Sequence, residues 1–192
     1  MTWKECKVLI YQDLSRSSDK QTKLSAFRFL ITNTSFKMSF WFRVGTYLQN
    51  KKCKLLYYLV LSYYRRIMYK TGIQLPLGTM VGEGLKFYHF GNVVINKKTK
   101  IGKNASIYNG VTIGINLSPE AEKGLPPILG DNVVLCAGAK VIGNVNVGNN
   151  CVIGANAVVT KDIPDNSVVV GVPAKLLRTN GDEYVKLFIN HK

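Results

Sequence analysis

The chain has 192 residues, 46% of them hydrophobic, and its 26 Lys and Arg outnumber 11 Asp and Glu for a net charge of +15. The longest apolar stretch, residues 55–64, is too short for the roughly twenty residues that a bilayer-spanning helix needs. The four cysteines form no C-x-x-C pair, and the sequence carries no secretory signal and no nucleic-acid-binding motif. We therefore expect a cytoplasmic protein without a metal site and without a nucleic-acid partner.

The N-terminal part is expected to be helical and basic. Aromatic and aliphatic residues recur at three- and four-residue intervals within 25–30, 39–48 and 54–69, which is typical of amphipathic helices. Residues 1–76 hold 14 basic and 3 acidic residues, whereas the remaining residues hold 12 and 8. The helix over 54–69 has basic residues at both ends. This arrangement suits either peripheral contact with an anionic membrane or packing on the rest of the protein with the charges in water.

A six-residue repeat dominates the rest of the chain. Six consecutive units fill residues 129–164, each with an aliphatic residue first and a small or β-branched residue fifth. This hexapeptide code predicts a mainly β protein, a parallel β-helix with three flat faces per turn. We expect three regions: helices over 1–72, the β-helix over 73–178 and a C-terminal tail over 179–192. Gly and Asn within the units are expected to supply the positive-φ turns that corners need; they are Gly138, Asn144, Asn150 and Asn156.

Two breaks interrupt the six-residue register. The spacing from Phe87 to Ile95 is eight, so two extra residues are inserted there. The spacing from Ile113 to Leu129 is sixteen, so residues 114–128 must leave the β-helix as a protruding loop. We predict a pocket where both irregularities lie.

The insertion contains His89, while the second histidine, His191, lies next to the C-terminus. Counting by turns stacks His89, Asn109, Ala137 and Ala155 above one another. The small side chains would leave an open groove for a long, narrow ligand. The alanines would be equally explained by a corner that accepts nothing larger.

These motifs resemble the hexapeptide-repeat acetyltransferases, in the branch that contains the serine acetyltransferases and the O-acetyltransferases of surface polysaccharides. The resemblance covers roughly residues 70–178. It implies a left-handed β-helix, a homotrimer and acetyl-CoA in the cleft between neighbouring prisms. The segments that carry it are 88–96, 107–114, 137–143, 153–159 and 169–175.

The resemblance also implies site roles. His89 would act as the general base on a hydroxyl, since an imidazole titrates near neutral pH. The pantetheine arm would pass the backbone of Ala137 and Ala155. Lys161 and Lys175 would contact the nucleotide phosphates, unless each is simply a solvated lysine.

Four residues near the base are candidates for the acceptor side. Asn109 would orient the imidazole or bind the acceptor, although a structural turn explains it as well. Tyr88, Phe90 and Asn92 are expected to contact the acceptor, with Tyr88 or Phe90 stacking on a sugar ring.

The chain departs from the serine acetyltransferases at four positions. Gln74 replaces an aspartate, and Tyr88 replaces the acidic residue before the histidine. Leu125 and Pro126 replace an arginine and a second histidine. Because these changes remove the charged residues that would bind an amino-acid carboxylate, the sequence favours O-acetylation of a surface polysaccharide, and a lipid-linked form of it is one candidate acceptor. Serine acetylation and a non-catalytic trimeric scaffold are the alternatives.

Overall fold

The computed structural model describes residues 1–49, 51–118 and 124–189. Four helices come first, and the third of them packs against the other three. Reciprocal hydrogen bonds of Thr2 and Thr22 start the first two helices in capping boxes. The predicted helical region is therefore confirmed. Its helices are α1 (Trp3–Ser15), α2 (Lys23–Thr32), α3 (Thr34–Gln49) and α4 (Lys54–Thr71).

Short parallel strands then build about five turns of a left-handed β-helix, which confirms the predicted fold class. The strands are β1 (Ile73–Gln74), β2 (Met80–Val81), β3 (Lys86–Tyr88), β4 (Val93–Ile95), β5 (Lys100–Ile101), β6 (Ser106–Tyr108), β7 (Thr112–Gly114), β8 (Ile128–Leu129), β9 (Val134–Leu135), β10 (Lys140–Ile142), β11 (Asn146–Val147), β12 (Val152–Ile153), β13 (Val158–Val159), β14 (Val168–Val170) and β15 (Lys175–Arg178).

The strands stack into three sheets that form the faces of the prism. Sheet A contains β1, β4, β7, β10 and β13, sheet B contains β2, β5, β8 and β11, and sheet C contains β3, β6, β9, β12, β14 and the antiparallel β15. The chain runs from sheet A to B to C in every turn. We call the connections the A–B, B–C and C–A corners.

Asparagines hold the B–C corner together. The side-chain amides of Asn104, Asn132 and Asn150 each donate to the amide oxygen of the next asparagine at 2.8 to 2.9 Å, and the ladder ends at Asn166. All four residues have φ between 54° and 58°. Asparagine suits these positions because it tolerates the left-handed conformation.

The predicted positive φ is confirmed at Gly138, Asn150 and Asn156. It is wrong at Asn144, because Gly143, one residue earlier, takes the left-handed conformation with φ 93°. A glycine adopts this conformation at lower cost than an asparagine.

A buried ion pair fixes the helices to the first turn. Arg43 on α3 contacts both carboxylate oxygens of Asp13 on α1 at 3.0 and 3.1 Å, and its guanidinium also donates to the carbonyls of Val81 and Gly82 at 2.6 Å. The Asp13 carboxylate accepts the Leu85 N–H at 2.9 Å. The helical region and the β-helix are therefore joined by shared polar contacts.

A fifth helix, α5 (Gly181–Ile189), covers the outer face of sheet C. This helix lies in the predicted C-terminal tail over 179–192, whose last three residues lie outside the described part. Val185 of α5 packs on valines of neighbouring strands. Within the described ranges, no helix is both long and apolar enough to cross a bilayer.

Candidate active site

The two-residue insertion forms the C–A corner of the first turn. β3 ends at Tyr88, and His89 follows with φ 63°, a left-handed conformation. The insertion packs on the end of α4, where the Val93 N–H donates to the Gly72 carbonyl at 3.0 Å. A Cβ added to Gly72 would lie 3.1 Å from the Cα of Gly91, a tight contact, and the φ of 66° at this position also favours glycine. This support leaves the His89 side chain exposed at the corner.

Two stacked tyrosines flank His89. The ring centroids of Tyr88 and Tyr108 are 4.7 Å apart with the planes at 6°, and the Tyr108 centroid is 6.1 Å from that of His89. The Tyr88 hydroxyl donates to the Phe188 carbonyl of α5 at 2.8 Å. Burial, reinforced by Tyr88 and Cys136, raises the pKa of the Tyr108 hydroxyl. Because of these contacts, α5 supports the aromatic pair that borders the imidazole.

Sequence reasoning did not single out Tyr108 or Phe188. Tyr108 lies opposite Tyr88 in the ladder between β3 and β6. The repeat register could therefore have predicted that these two rings are neighbours. His89 makes no hydrogen bond with any residue that the structure describes. Its ring nitrogens are therefore available to a ligand.

The predicted stack of small residues is present. β6, β9 and β12 pair in register, which puts Asn109, Ala137 and Ala155 above one another at the C–A corner, and His89 follows Tyr88, the partner of Tyr108, in the insertion at the end of this stack. With adjacent strands about 4.8 Å apart, this stack extends about 14 Å. Within the described ranges, the backbone N–H groups of Asn109, Ala137 and Ala155 donate no hydrogen bond. Three N–H groups without a described acceptor therefore lie along this stack.

The two lysines predicted for the nucleotide lie at different corners. Lys175 on β15 pairs with Val170 of β14, beside the upper end of the groove. Lys161 follows β13 and lies at the A–B corner. Both side chains are exposed. Within a single chain, Lys175 therefore lies near the predicted groove, whereas Lys161 lies at a different corner.

The protruding loop also lies at the A–B corner, because it connects β7 to β8. His89 is at the other end of the sheet A strands. The prediction of one pocket where both irregularities lie is therefore wrong within a single chain. Leu125 and Pro126 belong to the described end of the loop, while residues 119–123, including Lys123, lie outside the described residues.

The other candidates for the acceptor lie close to His89 in the chain. Phe90 lines a cavity of about 300 Å³ between the insertion, α3 and α4. Asn92 is exposed with φ 54°. Their contacts with an acceptor stay predictions, as does that of Tyr88. No group of three or more His, Cys, Asp or Glu within the described ranges could hold a metal ion.

Part of the hexapeptide repeat matches a known family model. Residues 126–161 match the family model of the bacterial transferase hexapeptide (six repeats). Together with the five-turn prism, this match confirms the resemblance to the left-handed β-helix acetyltransferases.

The chain is also similar to serine acetyltransferases. That of Staphylococcus aureus is 42% identical over 118 residues, which cover 62% of this chain and 54% of the relative. The chain thus spans about half the length of the curated relatives it matches. The crystal structure of Neisseria gonorrhoeae serine acetyltransferase in complex with serine has a TM-score of 0.72 at 26% identity, covering 92% of this chain and 70% of that one. A serine acetyltransferase in complex with CoA has a TM-score of 0.68 at 26% identity, covering 90% and 68%.

The prediction of a polysaccharide O-acetyltransferase is wrong. It rested on the loss of charged residues at Gln74, Tyr88, Leu125 and Pro126, but the similar proteins above are all serine acetyltransferases. Their likeness favours the alternative of serine acetylation. The physical weakness of the prediction is that a carboxylate can be bound by cations from another part of the fold.

Proposed function

We propose that the protein is an acetyl-CoA-dependent O-acetyltransferase that acts on the hydroxyl of L-serine. The observation that carries this proposal is the exposed imidazole of His89, free of described hydrogen-bond partners, at one end of a stack of small side chains whose backbone N–H groups have no described acceptor. A non-catalytic scaffold needs none of these features. The likeness to serine acetyltransferases supports serine as the acceptor.

His89 acts as the general base in this proposal. Its imidazole takes the proton of the serine hydroxyl while the oxygen attacks the carbonyl carbon of the thioester. A C–O bond forms, the C–S bond breaks, and the imidazolium returns the proton to the leaving thiolate. General-base catalysis of this kind contributes about 10² to 10⁴-fold to a rate.

The groove fits the long, narrow acetyl-CoA molecule, which supplies the acetyl group. The N–H groups of Ala137 and Ala155 would hold the pantetheine arm, because both donors are unpaired and both side chains are small. Lys175 would meet the phosphates from the same chain. Lys161 would reach them only from a neighbouring subunit, since it lies at the A–B corner.

We also propose a homotrimer, with each groove in the cleft between two prisms. Two features support it: in a single chain, Lys161 and the protruding loop lie away from His89. A neighbour that sets its A–B corner against the C–A corner would bring them to the groove. A site between two subunits needs its residues at two different corners of each chain, and these residues are distributed in that way.

The cytoplasmic location and the peripheral membrane contact stay predictions. α4 supports the membrane contact, because Leu55, Tyr58, Leu59 and Tyr69 are 61 to 87% exposed on a helix without acidic residues. Aromatic and basic side chains together suit the surface of an anionic bilayer.

The variant His89→Asn tests the proposed base. Asparagine occupies all the other described non-glycine positions with a positive φ, so the fold is expected to be retained. We expect thiol release from acetyl-CoA in the presence of L-serine to fall at least a hundredfold. If the folded variant keeps wild-type turnover, His89 is not the base.

A further inference from the structure

The cavity beside Phe90 is lined by three cationic side chains. Lys37 of α3 and Arg66 and Lys70 of α4 surround its volume of about 300 Å³, together with the rings of Tyr63 and Phe90. We call it the cationic cavity. Its size is at the lower end of the range for small-molecule sites.

The charges of the cationic cavity are uncompensated. The sequence holds no Asp or Glu between Asp19 and Glu83. Within the described residues, none of Lys37, Arg66 and Lys70 forms an ion pair. Like charges around one cavity repel each other, so a bound anion would stabilise the arrangement.

The cationic cavity includes the chain neighbour of the proposed base. Phe90 follows His89 in the chain, and the insertion that contains both packs on Gly72 at the end of α4. Arg66 and Lys70 lie on the last two turns of this helix. A ligand bound here would therefore lie next to the His89 corner.

Two aromatic rings, those of Tyr63 and Phe90, form part of the cavity wall. The Tyr63 ring packs on Trp41 of α3 with centroids 4.9 Å apart and planes at 65°. Phe90 is 52% exposed. The cavity thus combines positive charge with apolar surface, which suits a small molecule that carries an anionic group on a short carbon frame.

We propose that the cationic cavity binds the anionic group of the acceptor whose hydroxyl is presented to His89. For L-serine, this group is the carboxylate. The inference rests on the proposed function for the identity of the acceptor, but not for the anion site itself. It explains how a carboxylate is bound although Leu125 and Pro126 supply no charge: the cations come from the N-terminal helices instead.

The variants Arg66→Gln and Lys70→Gln test the proposal, with Lys54→Gln as the control. All three cations lie on α4, but Lys54 is at its other end and does not line the cavity. We expect each cavity variant to raise the KM for L-serine about tenfold or more, because a hydrogen bond to a charged group is lost. The kcat should change less than twofold, and inorganic phosphate should compete with serine in the wild type. An unchanged KM in both cavity variants would overturn the inference while leaving the proposed function intact.

Direct binding separates the two proposals. If the wild type fails to acetylate serine, the proposed function fails, and calorimetry with inorganic phosphate decides the anion site. Loss of phosphate binding in the cavity variants, but not in Lys54→Gln, supports the site; equal binding in all of them overturns it. A third arm uses vesicles of phosphatidylcholine with and without phosphatidylglycerol. If Arg66 and Lys70 are needed for vesicle binding and neither phosphate nor serine binds, the anion is a lipid headgroup and the acceptor assignment is overturned.

Discussion

Backbone conformation sets His89 apart from the other corner residues. Seven described non-glycine residues have a positive φ, and the six others are all asparagines. A left-handed conformation costs a non-glycine residue about 1–3 kcal/mol, and asparagine and histidine are among the residues that tolerate it. Asparagine or glycine is sufficient at a corner where the chain only turns. An imidazole at this corner agrees with its proposed role as the base.

Tyr88 is expected to act on His89 through its ring rather than through its hydroxyl. Tyr88→Phe removes the hydrogen bond to Phe188 but keeps the stack on Tyr108, so we expect a loss of about 0.5–1.5 kcal/mol in unfolding free energy and nearly unchanged kcat. Tyr88→Ala removes both contacts and should lower kcat about tenfold, because the ring beside His89 loses its support. Steady-state kinetics and urea unfolding of both variants measure these effects. Full kcat in Tyr88→Ala would show that the pair does not position the base.

At the scale of elements, the groove depends on the small side chains of the stacked corner. Ala155→Trp should abolish acetyl-CoA binding, because the indole would fill the space above Ala137 while the exposed position spares the core. Ala155→Ser keeps the size small and should bind as the wild type does. Isothermal titration with CoA measures both. Equal affinity in Ala155→Trp would show that the groove is elsewhere.

The Asp13–Arg43 pair is expected to control how firmly the helices hold the β-helix. Burial raises the pKa of Asp13, and Arg43 opposes this effect. Asp13→Asn leaves a buried guanidinium without its counter-charge and should cost about 3–5 kcal/mol. Both tryptophans, Trp3 and Trp41, lie in the helical region, so their fluorescence in urea reports its unfolding.

Glu83→Gln is the matched control. It breaks the exposed pair with Lys103, whose atoms are 3.3 Å apart, and should cost no more than about 1 kcal/mol. If Asp13→Asn and Glu83→Gln shift the fluorescence transition equally, the buried pair is not the anchor.

The hexapeptide repeat made the β-helix and its register predictable, because one aliphatic residue in six fixes which side chains face inward. The stack from His89 to Ala155 follows from this counting alone. α5 was missed although its sequence carries signals: Asp182 and Glu183 fall in its first turn, and Val185 and Phe188 are three residues apart. The cationic cavity was beyond sequence reasoning, because α3, α4 and the insertion meet only through tertiary packing.

At the scale of the whole molecule, the helical part and the β-helix would contribute different groups to the proposed site. In the proposed site, cations of the helical part would bind the acceptor, and the β-helix would supply the imidazole and the surface for acetyl-CoA. The insertion and the protruding loop lie at opposite ends of sheet A, so one chain alone does not enclose the base. The proposed trimer would close the site from a neighbouring prism.

Serine-dependent release of the CoA thiol from acetyl-CoA tests the central claim most directly. The purified wild type should release thiol with L-serine at a kcat/KM of about 10⁴ M⁻¹s⁻¹ or more. L-alanine, which has the same carboxylate and amine but no hydroxyl, should give only the background rate. A wild-type protein that binds acetyl-CoA but releases no more thiol with serine than with alanine would contradict the account.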